Sequence, residues 1–138
     1  MRLRREDGAS AVEFALVAPL LFMLLFGIIG FGIAFLRVQS IRTAVREGGR
    51  AAAVGASVSQ IQQKTVDASS GSIPTGQNGN VVVSAPLGGF CNPNNIGQDV
   101  SVTYNTANLP DGGVIVRIPL FPDIVLDPVI SASFRCEV

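Results

Sequence analysis

Residues 14–36 read FALVAPLLFMLLFGIIGFGIAFL, Phe14 through Leu36, and carry no charged side chain. As an α-helix rising about 1.5 Å per residue, this run extends roughly 34 Å. The hydrocarbon core of a bilayer is about 30 Å thick. A surface helix of a soluble protein keeps a polar face opposite its apolar stripe, and this run has none. Length and lack of charge together point to a transmembrane helix. A removable secretory signal is the competing reading, with Gly32-Ile33-Ala34 as a small-x-small cleavage triplet. The apolar stretch of such a signal is usually about 7–15 residues, shorter than this one, and acidic Glu6 and Asp7 are unusual before it. Pro19 removes one backbone donor inside the run, so a kink or a simply tolerated proline are both open.

Outward from this run, charge is unevenly divided along a chain of 138 residues, a length that suits one compact domain. Up to residue 50 there are seven arginines against four acids, a net +3; beyond it three basic residues face six acidic ones, a net −3. The acidic tail is no match for nucleic acid, and the basic residues flank the span, beside lipid headgroups. Arg2, Arg4 and Arg5 precede the span and Arg37, Arg42, Arg46 and Arg50 follow it, so the count of positive residues does not orient it. Cys91 and Cys136 are the only cysteines, both in the C-terminal part. That confinement suggests a disulfide and an oxidising compartment; two free thiols in a reducing one is the reading that spacing leaves open. Without histidine or a Cys-x-x-Cys pair, nothing supports a zinc site or thioredoxin-like chemistry.

The junction before the span is the most informative segment. Arg4-Arg5-Glu6-Asp7-Gly8 is a short polar leader ending in glycine, and Glu13 stands five residues beyond that glycine at the mouth of the apolar run. This resembles the leader of type IV prepilins, in which a membrane peptidase cuts after the glycine. The corresponding cut here is between Gly8 and Ala9, where a glycine gives close access to the backbone. The stretch Gly8-Ala9-Ser10-Ala11-Val12-Glu13-Phe14-Ala15-Leu16-Val17-Ala18-Pro19-Leu20-Leu21 is similar to the opening of the TadE-like family. So is Phe26-Gly27-Ile28-Ile29, and Ala44-Val45-Arg46-Glu47-Gly48-Gly49-Arg50-Ala51-Ala52 resembles a later family segment. The likeness covers roughly residues 7 to 52. Gly30 departs from it, standing where a second acidic residue is frequent, and Val45-Arg46 replaces Ala-Arg. Members of this family are pseudopilins of bacterial tight-adherence (Flp-type) pilus machinery. The resemblance implies a cleaved leader, a prepilin peptidase and other pilus-assembly proteins as partners, and an inner-membrane location with the N-terminus cytoplasmic and the C-terminal domain exported.

Glu13 has two readings. As a carboxylate at a helix start it is favoured by the helix dipole. As a charge in lipid it needs a partner, and the ammonium of Ala9 on a neighbouring processed subunit is the partner that the resemblance suggests. Beyond the span, Val38, Ile41, Val45 and Ala52 keep helical spacing. Arg42, Arg46 and Arg50 form a basic stripe, and Ala44, Gly48, Ala52 and Ala56 a stripe of small residues that suits close packing of a partner helix. Gly48-Gly49 costs this helix about 1 kcal/mol per glycine, so a bend or a compensating contact is expected there.

The expected organisation is α+β: a leader 1–8, a transmembrane helix 9–36, its continuation outside the membrane over 37–68, a linker 69–80 and a small antiparallel β domain 81–138. Alternating stretches at Val81–Ser84, Gln98–Tyr104, Val114–Leu120 and Ile130–Val138 predict three to four strands packed on the helix after residue 50. No catalytic constellation is present, since no histidine exists to serve a nucleophile, and no glycine-rich phosphate loop occurs. Pro122-Asp123 and Asp127-Pro128 read as turn formers rather than calcium ligands. No cofactor or metal is implied. Two functions remain: a structural pseudopilin, or an uncleaved membrane-tethered envelope protein whose exported domain binds a protein or ligand.

Overall fold

The charge-free run and the alanine-rich stretch behind it form one helix. A computed structural model describes residues 6–85 and 91–137 of the chain, and its first helix, α1, spans Glu6–Ala53. The first five residues of the expected leader lie outside the described residues. At about 1.5 Å per residue the 48 residues of α1 extend roughly 72 Å, and the helix continues through Pro19. Its two halves meet different surroundings. From Gly8 to Ile33 no side chain is fully buried, whereas Ala34, Ile41, Ala44, Val45, Gly48, Gly49, Ala51 and Ala52 are. These recur at steps of three and four, so they share one face. Arg42, Arg46, Glu47 and Arg50 are exposed on the other.

The helix expected to run on to residue 68 is interrupted at residues 54–57. Gly55 takes a left-handed φ of 80°, its N–H donates to the Ala52 carbonyl, and that of Ala56 donates to Ala51, both at 3.1 Å. This is a Schellman end, and glycine is the residue that adopts it without strain. A second helix, α2, then spans Val58–Ala68, started by a capping box. Ser57 Oγ accepts from the Gln60 N–H, and Gln60 Oε1 accepts from the Ser57 N–H at 3.0 Å. The turn sends α2 back along α1, so that Ser40 Oγ donates to the Ser69 carbonyl at 2.6 Å.

Five strands follow: β1 Val81–Ser84, β2 Asp99–Asn105, β3 Val114–Val116, β4 Ile124–Leu126 and β5 Val129–Arg135. β1, β2 and β5 form an antiparallel sheet with β2 in the middle. Val83 pairs with Val102 and Val102 with Ala132, while Val100 pairs with Phe134 and Tyr104 with Ile130. These side chains therefore share the face turned to α1 and α2; Ser101, Thr103, Ser131 and Ser133 line the outer face. An antiparallel sheet with one face covered shows this alternation. The fifth strand, β4, is additional to the three to four expected. It pairs with β3 in a separate two-stranded ribbon. β3 stops at Val116 rather than Leu120, because Pro119 has no N–H to continue the ladder. The stretch 69–80 between α2 and β1 is a series of turns that packs on the core: Ile73 is buried, and Ser69 Oγ accepts from its N–H at 3.0 Å.

Tyr104, also buried, donates to Gln77 Oε1 at 3.0 Å. Burial pushes its hydroxyl above the ordinary range, and the Arg37 guanidinium works the other way. Cys91 and Cys136 are joined by a disulfide with Cα atoms 5.3 Å apart, tying the loop before β2 to the end of β5. The next N–H, of Glu137, donates to the Ala53 carbonyl at 3.0 Å and joins the segment after β5 to the end of α1.

Two outcomes follow for stability. The disulfide closes a loop of 45 residues in sequence separation, so replacing both cysteines by serine costs about 4 kcal/mol on the chain-entropy account; chemical denaturation in detergent measures it. A Cβ on Gly48 would overlap Thr65 Oγ1. Gly48→Ala therefore destabilises by about 1–3 kcal/mol through overpacking, despite alanine's better helix propensity, and adding Thr65→Ala recovers most of that loss in the same assay.

Candidate functional site

The functional surface begins with the first half of α1, which the rest of the chain leaves largely uncovered. Sixteen large apolar side chains between Val12 and Leu36 are exposed. Covering a large apolar side chain is worth about 1.5–3 kcal/mol, so the sum is on the order of tens of kcal/mol, beyond the ~5–15 kcal/mol that a folded domain holds in reserve. Water is thus the wrong solvent for this half. Among the described residues α1 is the one helix long and apolar enough to cross a membrane.

Gly8, Ala9 and Glu13 all lie on the first turns of α1 and are exposed. Ala9 and Glu13 stand four residues apart, so they occupy one face about 6 Å apart along the axis. Among the described residues no hydrogen bond or ion pair reaches the Glu13 carboxylate, and Glu13 is the last charge before Arg37. The structure therefore places the exposed Glu13 carboxylate at the N-terminal edge of the apolar surface.

Of the small-residue stripe, Ala44, Gly48 and Ala52 are buried and Ala56 is half-buried. The elements that cover it belong to the same chain. Thr65 of α2 and Val102 of β2 pack on Gly48, and the Phe134 ring of β5 lies where a Cβ of Gly49 would be. Arg42 and Arg46 flank the start of β5, and Arg50 pairs loosely with Glu47 at 3.9 Å with both side chains largely exposed. Such an exposed pair contributes little. Among the described residues no group of three or more His, Cys, Asp or Glu side chains gathers as a metal site.

One part of the surface escaped the sequence reading. The β3–β4 ribbon lies against α1 above the end of the small-residue stripe, at the level of the apolar run. The Arg117 carbonyl passes 2.6 Å from where a Cβ of Gly30 would stand. On one side of this contact Ile118 and Phe121 face Met23, Leu24, Gly27, Ile28 and Phe31 across an apolar groove. On the other, Val125 and Leu126 face Phe31, Phe35 and Val38. The available signal was the uncharged run Ile118-Pro119-Leu120-Phe121-Pro122, whose prolines marked a turn while its leucine and phenylalanine marked an apolar surface.

No curated protein and no solved structure matches the chain. A family model does: residues 8–50, from the glycine of the junction through the span to the glycine pair of the packed half, match the family described as TadE-like protein.

Proposed function

We propose that this chain is a structural pseudopilin that takes part in assembling a bacterial tight-adherence pilus or a related secretion apparatus. The match of residues 8–50 to the TadE-like family carries this reading, because it covers the junction, the span and the packed half of α1 together. In this reading the chain crosses the inner membrane once, with the residues before α1 in the cytoplasm and the β domain exported. A disulfide between Cys91 and Cys136 supports that direction, since such bonds persist in oxidising compartments.

A prepilin peptidase is the first partner. It cuts between Gly8 and Ala9, in the opening turns of α1, where a helix end frays and glycine lowers the cost of unwinding. The mature chain then begins at Ala9 with a new ammonium group. Glu13 lies in the apolar edge without a described partner, and an unpaired carboxylate in hydrocarbon is costly. The ammonium of a neighbouring subunit's Ala9 neutralises it and sets the register between subunits, so other pilus-assembly proteins are the second class of partner.

Two measurements test these steps. Intact mass of the membrane-extracted protein from its native host should correspond to a chain starting at Ala9, and Gly8→Leu should leave the full-length chain in the membrane. A full-length wild-type chain would instead favour a membrane-tethered envelope protein that is never processed. Glu13→Gln should retain insertion and cleavage while piliation is lost, because an ammonium is left without its partner. A local role at the helix start is worth only about 0.3–1 kcal/mol, so normal piliation in this variant rejects the inter-subunit pair, and lost cleavage moves Glu13 into peptidase recognition.

A further inference from the structure

The β3–β4 ribbon is oddly built for a surface in water. Leu120 has a φ of 72° and a side chain 96% exposed. The left-handed conformation costs a leucine energy that glycine or asparagine would avoid, and a leucine pointed at water gains nothing in return. Phe121, Ile124, Val125, Leu126 and Val129 continue the same exposed apolar surface. From Ile118 to Pro122 there is no charge, and the first charges on either side, Arg117 and Asp123, pair with each other at 3.5 Å. Strained backbone of this kind is held where it serves an interaction.

The ribbon's height along α1 identifies that interaction. Val12 to Leu36 extends roughly 38 Å as a helix, longer than the ~30 Å hydrocarbon core. With Glu13 at one edge of the core, the other edge falls near Ile33; with Ala9 at the edge, it falls near Ile28. The ribbon's tip residues Ile118 and Phe121 stand beside Met23, Leu24, Gly27 and Ile28. Under either placement they are within the hydrocarbon or at its boundary. The exposed apolar face of the ribbon is thus continuous with the lipid-facing face of the helix beside it.

We infer that the segment Ile118–Leu126 is a second membrane-contacting element, which seats Leu120 and Phe121 among the acyl chains of the leaflet farther from Glu13. The paired Arg117 and Asp123, with side chains 74% and 51% exposed, sit at headgroup level, where the long arginine stem reaches back to water. The occupant is lipid rather than a pocket ligand, because the surface is open, convex at Leu120 and apolar throughout its tip. With the β domain already packed on α1, the ribbon fixes how the two together lean in the bilayer. This inference takes insertion of α1 in a bilayer as given.

The chain contains no tryptophan, so one introduced tryptophan reports alone. The full-length protein is reconstituted in liposomes with Leu120→Trp, with Phe121→Trp as a second reporter, Leu20→Trp in the span and Val54→Trp at the far end of α1. Leu120 contacts nothing that its replacement would disturb. The expected result is that emission from Leu120→Trp and Phe121→Trp is blue-shifted, quenched by lipids brominated on their acyl chains, and insensitive to aqueous iodide. Val54→Trp should show the reverse. Iodide quenching of both ribbon reporters while Leu20→Trp responds to brominated lipid would overturn the proposal and leave the span standing. Failure of Leu20→Trp to respond to lipid would bring down both. Ribbon reporters shielded from iodide, indifferent to brominated lipid and released as protein is diluted in the bilayer would assign the surface to a second copy of the chain and overturn the lipid contact.

Discussion

At Gly48 and Gly49 the backbone of α1 comes close to the elements folded around it. Thr65, Val102 and Phe134 converge there from α2, β2 and β5. Each of those elements is weak alone: α2 has 11 residues, below the ~12–15 at which an isolated helix becomes even marginal in water. A three-stranded sheet with one polar face likewise needs a partner for its other face. Two adjacent glycines cost α1 about 2 kcal/mol in helix propensity. The core that closes over them, with Ile41, Val45, Ile61, Val100 and Val102 fully buried, offsets this, since each large apolar side chain removed from water contributes about 1.5–3 kcal/mol. The compensating contact expected at the glycine pair is this convergence, and the helix passes through it to Ala53.

The same helix serves two solvents, and its composition changes where the solvent does. Up to Leu36 it presents phenylalanine, leucine and isoleucine, whose bulk suits fluid acyl chains and asks for no specific partner. From Ala44 to Ala53 its inward face is, apart from Val45, alanine and glycine, which allow backbones to approach. Ala34 is the first buried side chain and Arg37 the first charge after the run, so the handover occupies about one turn. Arg37 there is close enough to influence the Tyr104 hydroxyl, which links the membrane-proximal end of α1 to the central strand.

Much of this was legible in the residues. Lack of charge over 14–36 identified the long helix, and two-residue alternation located β1, β2 and β5 to within a few positions. The break between α1 and α2 was also written locally, in Gly55 and in the Ser57-x-x-Gln60 box, but alanine on both sides masked it. The ribbon was illegible for a different reason. Ile124-Val125-Leu126 is three residues between Asp123 and Asp127, too short for a period, and its pairing with β3 and its seat on α1 are tertiary contacts that periodicity does not encode. The partner of the small-residue stripe was hidden in the same way: a stripe specifies close approach, and nothing in its spacing says whether the approaching helix belongs to this chain or another.

Gly30 shows how the tail constrains the segment that carries the family likeness. It lies within the residues that the family model matches. In this structure the Arg117 carbonyl fills the space a Cβ would need. Any side chain at residue 30 would push the ribbon away, and a carboxylate would also set its charge against the negative end of that carbonyl dipole in a region of low dielectric, where such repulsion is least screened. An acid at this position and a ribbon seated here exclude one another. The glycine is therefore coupled to residues 114–126, outside the matched segment. A side chain at residue 30 would require the C-terminal domain to sit differently on the helix, so this one position in the apolar half of α1 is tied to how residues 114–126 are docked.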